Sequence, residues 1–338
     1  MCLFRKVPIF LKASLSLTII FGAVTIAHAQ QPPGEGEIWV NGRIVGSLKQ
    51  AFNFVTNDGI IRIGPGVYKM AGTIKKDRVK IEGSVGTILD GVADGGKGAI
   101  VVRADDIVIE NITCRNISVP DENGACIRHE GTNLTLRNVH FMDSESGILG
   151  WKKGGVVTIE DSRFERLGGG TGQAHAIYIN GGELIIRRTV ILSARDQAHG
   201  VKSRAERTII ENSIIASLEG IDSRLIDIPD GGRAYILDNL LVEGPNTANW
   251  QIASFGVEGQ PYRLNSLRME NNMIITDRRG GSDLILVHAS MPTPIITKNI
   301  IVGNIRYDWG GGNYFFDSRA ELNLPPAPEL PKWDPKKK

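Results

Sequence analysis

Seven side chains able to move protons or hold anions gather in a short stretch of the chain: His175, Tyr178, His199, Lys202, Arg204, Asp222 and Arg224. The grouping emerges when five similar segments are superposed: 126–130, 147–151, 176–180, 200–204 and 220–224. Each has a branched residue at its second place (Ile127, Ile148, Ile177, Val201, Ile221), expected to face a core. Strand alternation then turns the first and third residues after it outward. One outward column reads Arg128, Leu149, Tyr178, Lys202, Asp222; the other reads Glu130, Trp151, Asn180, Arg204, Arg224. Two places ahead of the core column stand Ala125, Ser146, His175, His199 and Glu219. The small residues that follow them predict a bend, which would turn these side chains outward as well.

Such a patch has the groups that β-elimination in a uronic-acid polymer needs. Something must offset the uronate carboxylate, a base must take the C5 proton, and an acid must serve the leaving oxygen. Arg204 and Arg224 suit the carboxylate, because a guanidinium fork matches it bidentately. Lys202 could be the base if Arg204 and partial burial depress its pKa; Tyr178 and His199 are rival bases. His175, His199 or Tyr178 could be the acid. Arg128, Asn180 and Asp222 complete a substrate-binding floor, with Trp151 as a platform for a sugar ring. Glu219, Asp222 and Asp227 could instead gather Ca²⁺, though their spacing is irregular; no other cofactor is expected. The same carboxylates are the local candidates for glycoside hydrolysis, which needs two. A third reading is a glycan-binding or envelope structural protein without catalysis, since exposed sheet faces are polar by default.

These side chains need a scaffold that repeats. A phrase of branched residues, a polar residue and more branched residues recurs, as in Val108–Ile112, Leu134–Val139, Ile209–Asn212 and Ile295–Asn299. Its Asn position runs 111, 138, 161 (Asp), 188 (Arg), 212, 239, 271, 299, in steps of 23–32 residues. Short strands between Gly, Asn and Asp turns, without helical periodicity, predict an all-β fold: a right-handed parallel β-helix of roughly 8–10 coils. Each coil cannot bury its own apolar side chains, and stacking at ~4.8 Å supplies the core. Asn tolerates the left-handed turn and can bond its counterpart one coil away. Forty glycines in 338 residues and only 6% aromatics agree with many turns and a core of small branched residues. Ser47 is expected to cap a short helix over Leu48–Val55 at the front. The aromatic, Gly-rich stretch 305–316 is expected to close the back.

The ends read as segments apart from the fold. Arg5, Lys6 and Lys12, an apolar run over 13–27 and Ala27-His28-Ala29 form a cleavable export signal, residues 1–29. The β-helix domain then spans 30–320, and a Pro- and Lys-rich tail spans 321–338. Location is expected to be periplasmic or extracellular, with no membrane span and a monomeric state. Without residues 1–29 the chain has 36 basic and 37 acidic residues, which argues against nucleic acid as a partner. The expected partner is an acidic polysaccharide. Cys114 and Cys126 remain after cleavage; export permits a bridge, but two cysteines do not read as a framework.

Residues 37–305 resemble the pectate-lyase-like right-handed β-helix superfamily, on the repeat and on the opening Ser47–Ala51, Asp58-Gly59 and Gly64-Pro65-Gly66-Val67-Tyr68. The resemblance implies a carbohydrate-facing role. Val201-Lys202-Ser203 is similar to the segment carrying the lysine base in the chondroitinase B and alginate lyase family. That likeness implies Lys202 as base and Arg224 near the family's catalytic arginine. The Arg-x-Pro-x-x-Arg of pectate lyases is missing. So is the aspartate and Gly-His-Gly set of polygalacturonases. Asp196-Gln197-Ala198-His199 departs from the Asp-Pro-His-Asp of mannuronan epimerases. The stretch 199–205 also resembles a group of exported bacterial β-helix repeat proteins.

Overall fold

The repeat phrase becomes one strand per coil because its branched residues alternate with polar ones. In the computed structural model, which describes residues 31–150, 154–170, 172–306 and 310–329, three strands per coil stack into three sheets, parallel except at the front of the first. These hold 12, 11 and 10 strands among the described residues, in a parallel β-solenoid of about nine turns. The solenoid belongs to the unit that begins at Pro32. The expected signal lies outside the described residues.

Register is set by the inward column. In the first sheet Ile81, Ile109, Leu136, Ile159, Ile186, Ile210, Ile236, Met269 and Ile296 pair in succession. All are at most 3% exposed. A slip of one residue in any strand would turn this column to solvent, so burial fixes the stacking. Few aromatics are needed; Phe141 and Phe164 meet edge to face, 5.4 Å apart.

The corner after these strands uses two adjacent columns. Asn111, Asn138, Asp161, Arg188, Asn212, Asp238, Asn271 and Lys298 adopt positive φ. The residue after each points inward. Asn239 and Asn299 therefore belong to the inner column, not to the turn column in which the repeat phrase places them. There Asn239 Nδ2 donates to Asn272 Oδ1 at 3.0 Å, Asn272 to Asn299 at 2.9 Å and Asn299 to Asn313 at 2.9 Å. Each Oδ1 also accepts a backbone N–H, from Asn239 for Asn272 and from Asn272 for Asn299. Ser213 and Ser162 take over toward the front, accepting from Thr189 N and Val139 N at 3.2 Å. Strand pairing lapses at a corner, and these side chains supply the partners that buried amides require.

The front is closed by helix Leu48–Phe54, with Ser47 Oγ accepting from Gln50 N and Leu48, Ala51 and Phe52 buried. A hairpin over Ile38–Val40 and Arg43–Val45, which the repeat reading passes over, adds antiparallel strands ahead of Ile60–Ile63. At the back, Tyr314–Phe316 pairs with Ile300–Val302. The expected tail boundary at 321 falls inside a short helical turn, Arg319–Leu322. Leu322 and Leu324 pack on an outward apolar stripe of the second sheet formed by residues such as Val242, Ile275 and Val302. Cys114 and Cys126 form a disulfide. No helix among the described residues is long and apolar enough to cross a membrane.

The inner and outer Asn columns predict different costs. Asn272→Ala strands the Asn239 backbone N–H and takes the side-chain donor from the Ile236 carbonyl oxygen, and should lower stability by about 2–3 kcal/mol. Asn271→Ala meets only the left-handed backbone penalty and should cost about 1–2 kcal/mol. Urea denaturation of both variants checks the order; equal costs would remove the ladder's role.

Candidate functional site

Three consecutive strands of the third sheet carry the cluster: Ile177–Ile179, Val201–Ser203 and Ile226–Ile228. Their middle residues face outward in register, Tyr178 beside Lys202 and Lys202 beside Asp227. This corrects the superposition of 220–224 on the earlier coils. Ile221 is 56% exposed and lies before the strand, whereas Ile226 continues the core column. Asp222 is accordingly not on the outer face: it is 2% exposed, and its Oδ2 accepts from Ser217 Oγ at 2.8 Å.

The same shift moves Arg224 into the column that precedes the core residue, which now reads Ser146, His175, His199, Arg224, Gln251, Asp283. The bend ahead of the strand demands a small residue; a Cβ on Gly200 would lie 2.8 Å from the Leu225 carbonyl oxygen. At this bend each histidine caps the next coil. His175 Nδ1 accepts from His199 N at 3.0 Å, and His199 Nδ1 accepts from Arg224 N at 3.2 Å. A backbone N–H only donates, so both Nδ1 atoms are unprotonated and both Nε2 atoms carry the hydrogen. The rings stack 4.9 Å apart. Burial, then neighbouring cations, press the His199 pKa down to about 3, and burial chiefly lowers that of His175 well below the usual value. His199 is therefore neutral, and its 3.4 Å approach to Asp227 Oδ2 is a polar contact rather than an ion pair.

The cations are tied down. Lys202 Nζ lies 3.2 Å from both Asp227 Oδ2 and Glu258 Oε1. Arg204 bonds Asp230 and Glu258, and its Nε donates to Tyr178 Oη at 3.1 Å. Burial alone would lower the Arg204 pKa; the bonds to Tyr178 and Glu258 and the Asp230 charge outweigh it and raise it. Tyr262 Oη donates to the Arg204 carbonyl oxygen at 2.6 Å. Arg224 reaches Gln251 Oε1 at 3.2 Å, one coil beyond the histidines. Tyr178 is left with one face against this network and the other in an open cleft of about 350 Å³.

Arg128, Gln173, His175, Tyr178, Asn180 and Lys202 line that cleft. Arg128 is 9% exposed, and burial lowers its pKa against the opposing charge of Glu130. A desolvated guanidinium gains from an arriving anion. Of the residues expected at the site, the structure thus brings together Tyr178, His175, Lys202, Arg128 and Asn180 around one space. His199 and Arg204 stand behind it, Arg224 lies beyond it, and Asp222 is inside the wall. Trp151 lies outside the described residues. The three Ca²⁺ candidates do not converge: Glu219 is exposed, Asp222 turns to Ser217 and Asp227 to Ser254. Among the described residues no group of three or more metal-ligating side chains forms.

Sequence reasoning missed Glu258 and Asp230. Glu258 sits 54 residues from Arg204 in a loop after the strand Gln251–Phe255, and no spacing announces it. Asp227 was legible: Ile226-Asp227-Ile228 repeats the branched-polar-branched pattern of Ile177-Tyr178-Ile179 better than 220–222 does. A larger hollow of about 480 Å³ lies near Ser118, Glu145 and Arg195. Two of its carboxylates are already committed, Glu145 to Ser118 Oγ and the Val119 and Gly124 amides, Asp143 to Arg166.

No family model matches the chain, and no curated protein matches it. Among solved structures it is similar to the alginate lyase from Paenibacillus sp. str. FPU-7. The TM-score is 0.54 and the identity 17%, covering 80% of this chain and 95% of that one. The likeness is one of fold, a parallel β-helix.

The buried titratable groups make stability pH-dependent with opposing signs. Burial raises the Asp222 carboxyl pKa to about 7, so folding takes up a proton and stability falls as pH rises from about 4 to 7. The two histidines are neutral when folded, so their contribution is complete above about pH 6.5 and is lost as pH falls below it. Asp222→Asn removes the first effect. Its stability relative to the parent should rise by up to about 1.4 kcal/mol per pH unit between about pH 4 and 7, and stay level above. Urea denaturation across a pH series measures this; a constant difference would show that the carboxyl does not titrate there.

Proposed function

We propose that the protein is a polysaccharide lyase that cleaves a uronate-containing glycan by β-elimination in the Tyr178 cleft. The observation that carries the reading is Tyr178 Oη, held by Arg204 Nε at 3.1 Å where it borders an open space lined by anion-binding donors. Tyr178 Oη reacts as the phenolate, its charge held by the Arg204 Nε–H, and takes the C5 proton. The C5–H electron pair becomes the C4–C5 double bond, the C4–O bond breaks, and Tyr178 returns its proton to the leaving oxygen. Arg128, the His175 Nε2–H and the Asn180 amide offset the uronate carboxylate as its charge grows.

This assignment moves the base from Lys202 to Tyr178. The Lys202 nitrogen would have to leave two carboxylates before taking a proton. Its proposed role is to hold the Glu258 loop, which in turn orients Arg204. Hydrolysis is the less suited chemistry: no Asp or Glu stands among the described residues lining the cleft, and that reaction needs two carboxylates. The fold shared with an alginate lyase supports a polysaccharide substrate. The export pattern of residues 1–29 supports an encounter with the glycan outside the cytoplasm.

The mature protein incubated with alginate, polygalacturonate and chondroitin should produce ultraviolet-absorbing unsaturated uronates from one of them. Tyr178→Phe should lower kcat about a hundredfold or more with little change in KM. Lys202→Ala should keep more of kcat than Tyr178→Phe. The reverse ranking would return the base to Lys202, and reducing ends without unsaturation would replace elimination by hydrolysis.

A further inference from the structure

The column that begins with the histidines does not end at the cleft. It continues as Arg224, Gln251, Asp283 and Arg306, one residue per coil, each in register with the last. Polar contacts run along it: Arg224 to Gln251 Oε1 at 3.2 Å and Arg306 to Asp283 Oδ1 at 2.6 Å. Its far end opens into a third hollow of about 230 Å³, lined by Trp250, Arg278, Ser282, Asp283, Asn304 and Arg306. Trp250 is 49% exposed, and the Arg306 side chain is 74% exposed. Arg278 is braced by its own bond to the Gly281 carbonyl oxygen at 3.0 Å.

Arg306 is paired with Asp283, and an exposed indole beside the remaining guanidinium, that of Arg278, is poor packing and a good sugar-acid receptor. The indole face takes the C–H face of a pyranose ring, and a guanidinium fork takes the carboxylate. The Asn304 side chain is of the kind that hydrogen-bonds sugar hydroxyls. Four coil steps separate His175 from Asp283, about 19 Å at the strand spacing. We propose that this hollow is a distal subsite for the same acidic polymer, binding a uronate several sugars away from the Tyr178 cleft. It rests on the uronate-lyase reading and adds to it a preference for long chains. Short oligomers occupy the cleft alone, whereas a polymer following the corner column engages both ends.

The test uses Tyr178→Phe as a slow-cleaving background, with alginate, polygalacturonate and chondroitin as probes, each as polymer and as trisaccharide. Trp250→Ala and, separately, Arg278→Gln are added to it, and binding is followed by calorimetry. Both positions lie away from the core, and a thermal melt confirms that each variant folds. Each should weaken polymer binding about tenfold and leave trisaccharide binding unchanged. In the Tyr178-containing protein each should raise KM for polymer and leave kcat unchanged. Polymer binding unaffected by both substitutions overturns the distal subsite while leaving the cleft reading intact. An equal loss for polymer and trisaccharide also overturns it, because the effect then reaches the cleft. A protein that neither binds nor cleaves any of the three glycans overturns both readings together.

Discussion

The structure depends on one constraint: a buried backbone amide that its own coil does not satisfy must find its partner one coil away. Along the strands the parallel ladders meet it automatically. At the corners the ladder lapses, and a buried amide left unpaired there costs about 1–3 kcal/mol. This solenoid fills the gap with side-chain acceptors stacked in columns. One corner uses Asn239, Asn272 and Asn299, preceded by Ser162 and Ser213. Another uses His175 and His199. The histidines that attract notice as catalytic candidates are thus, on their Nδ1 side, structural caps.

That capping decides what they offer to chemistry. With Nδ1 committed, each neutral ring presents only a donor at Nε2, and burial keeps the ring from gaining a second proton near neutral pH. His199 spends its donor edge toward Asp227, inside the wall. His175 faces the cleft. The cations are sorted in the same way: Lys202 and Arg204 are bound by Asp227, Asp230 and Glu258, so their charge shapes the field at Tyr178 without being free to move. The net charge of the chain, close to zero, conceals this local pairing.

Periodicity made the coils readable, because a branched residue facing the core is repeated at every turn and has no alternative position. Tyr178, Lys202, Arg128 and Asn180 followed from that alignment. The errors came where coils change length. Gly220-Ile221-Asp222 copies Gly200-Val201-Lys202 in type, but the core position falls five residues later, at Ile226, and strand alternation carries any such slip to every neighbour. Asp238-Asn239 offers two polar residues in a row, and only the left-handed turn at Asp238 decides which of them points inward. Glu258 was beyond reach for a different reason. It belongs to a loop laid over the sheet, and its contacts depend on where that loop folds rather than on any repeat.

A solenoid that satisfies its corners with side-chain columns also produces tracks on its surface at strand spacing. The Asn column turns into the core, whereas the histidine column stands at a bend and borders the cleft. Substituting one member alters one coil and leaves the inward columns of branched residues untouched. The column Ser146, His175, His199, Arg224, Gln251, Asp283, Arg306 shows that range: the same position caps an amide in two coils and pairs charges in another. An extended polymer meets a protein at regular intervals, and a column with one side chain per coil is a matching ruler. The route by which such a fold acquires a binding groove therefore runs through the residues that its own backbone already requires.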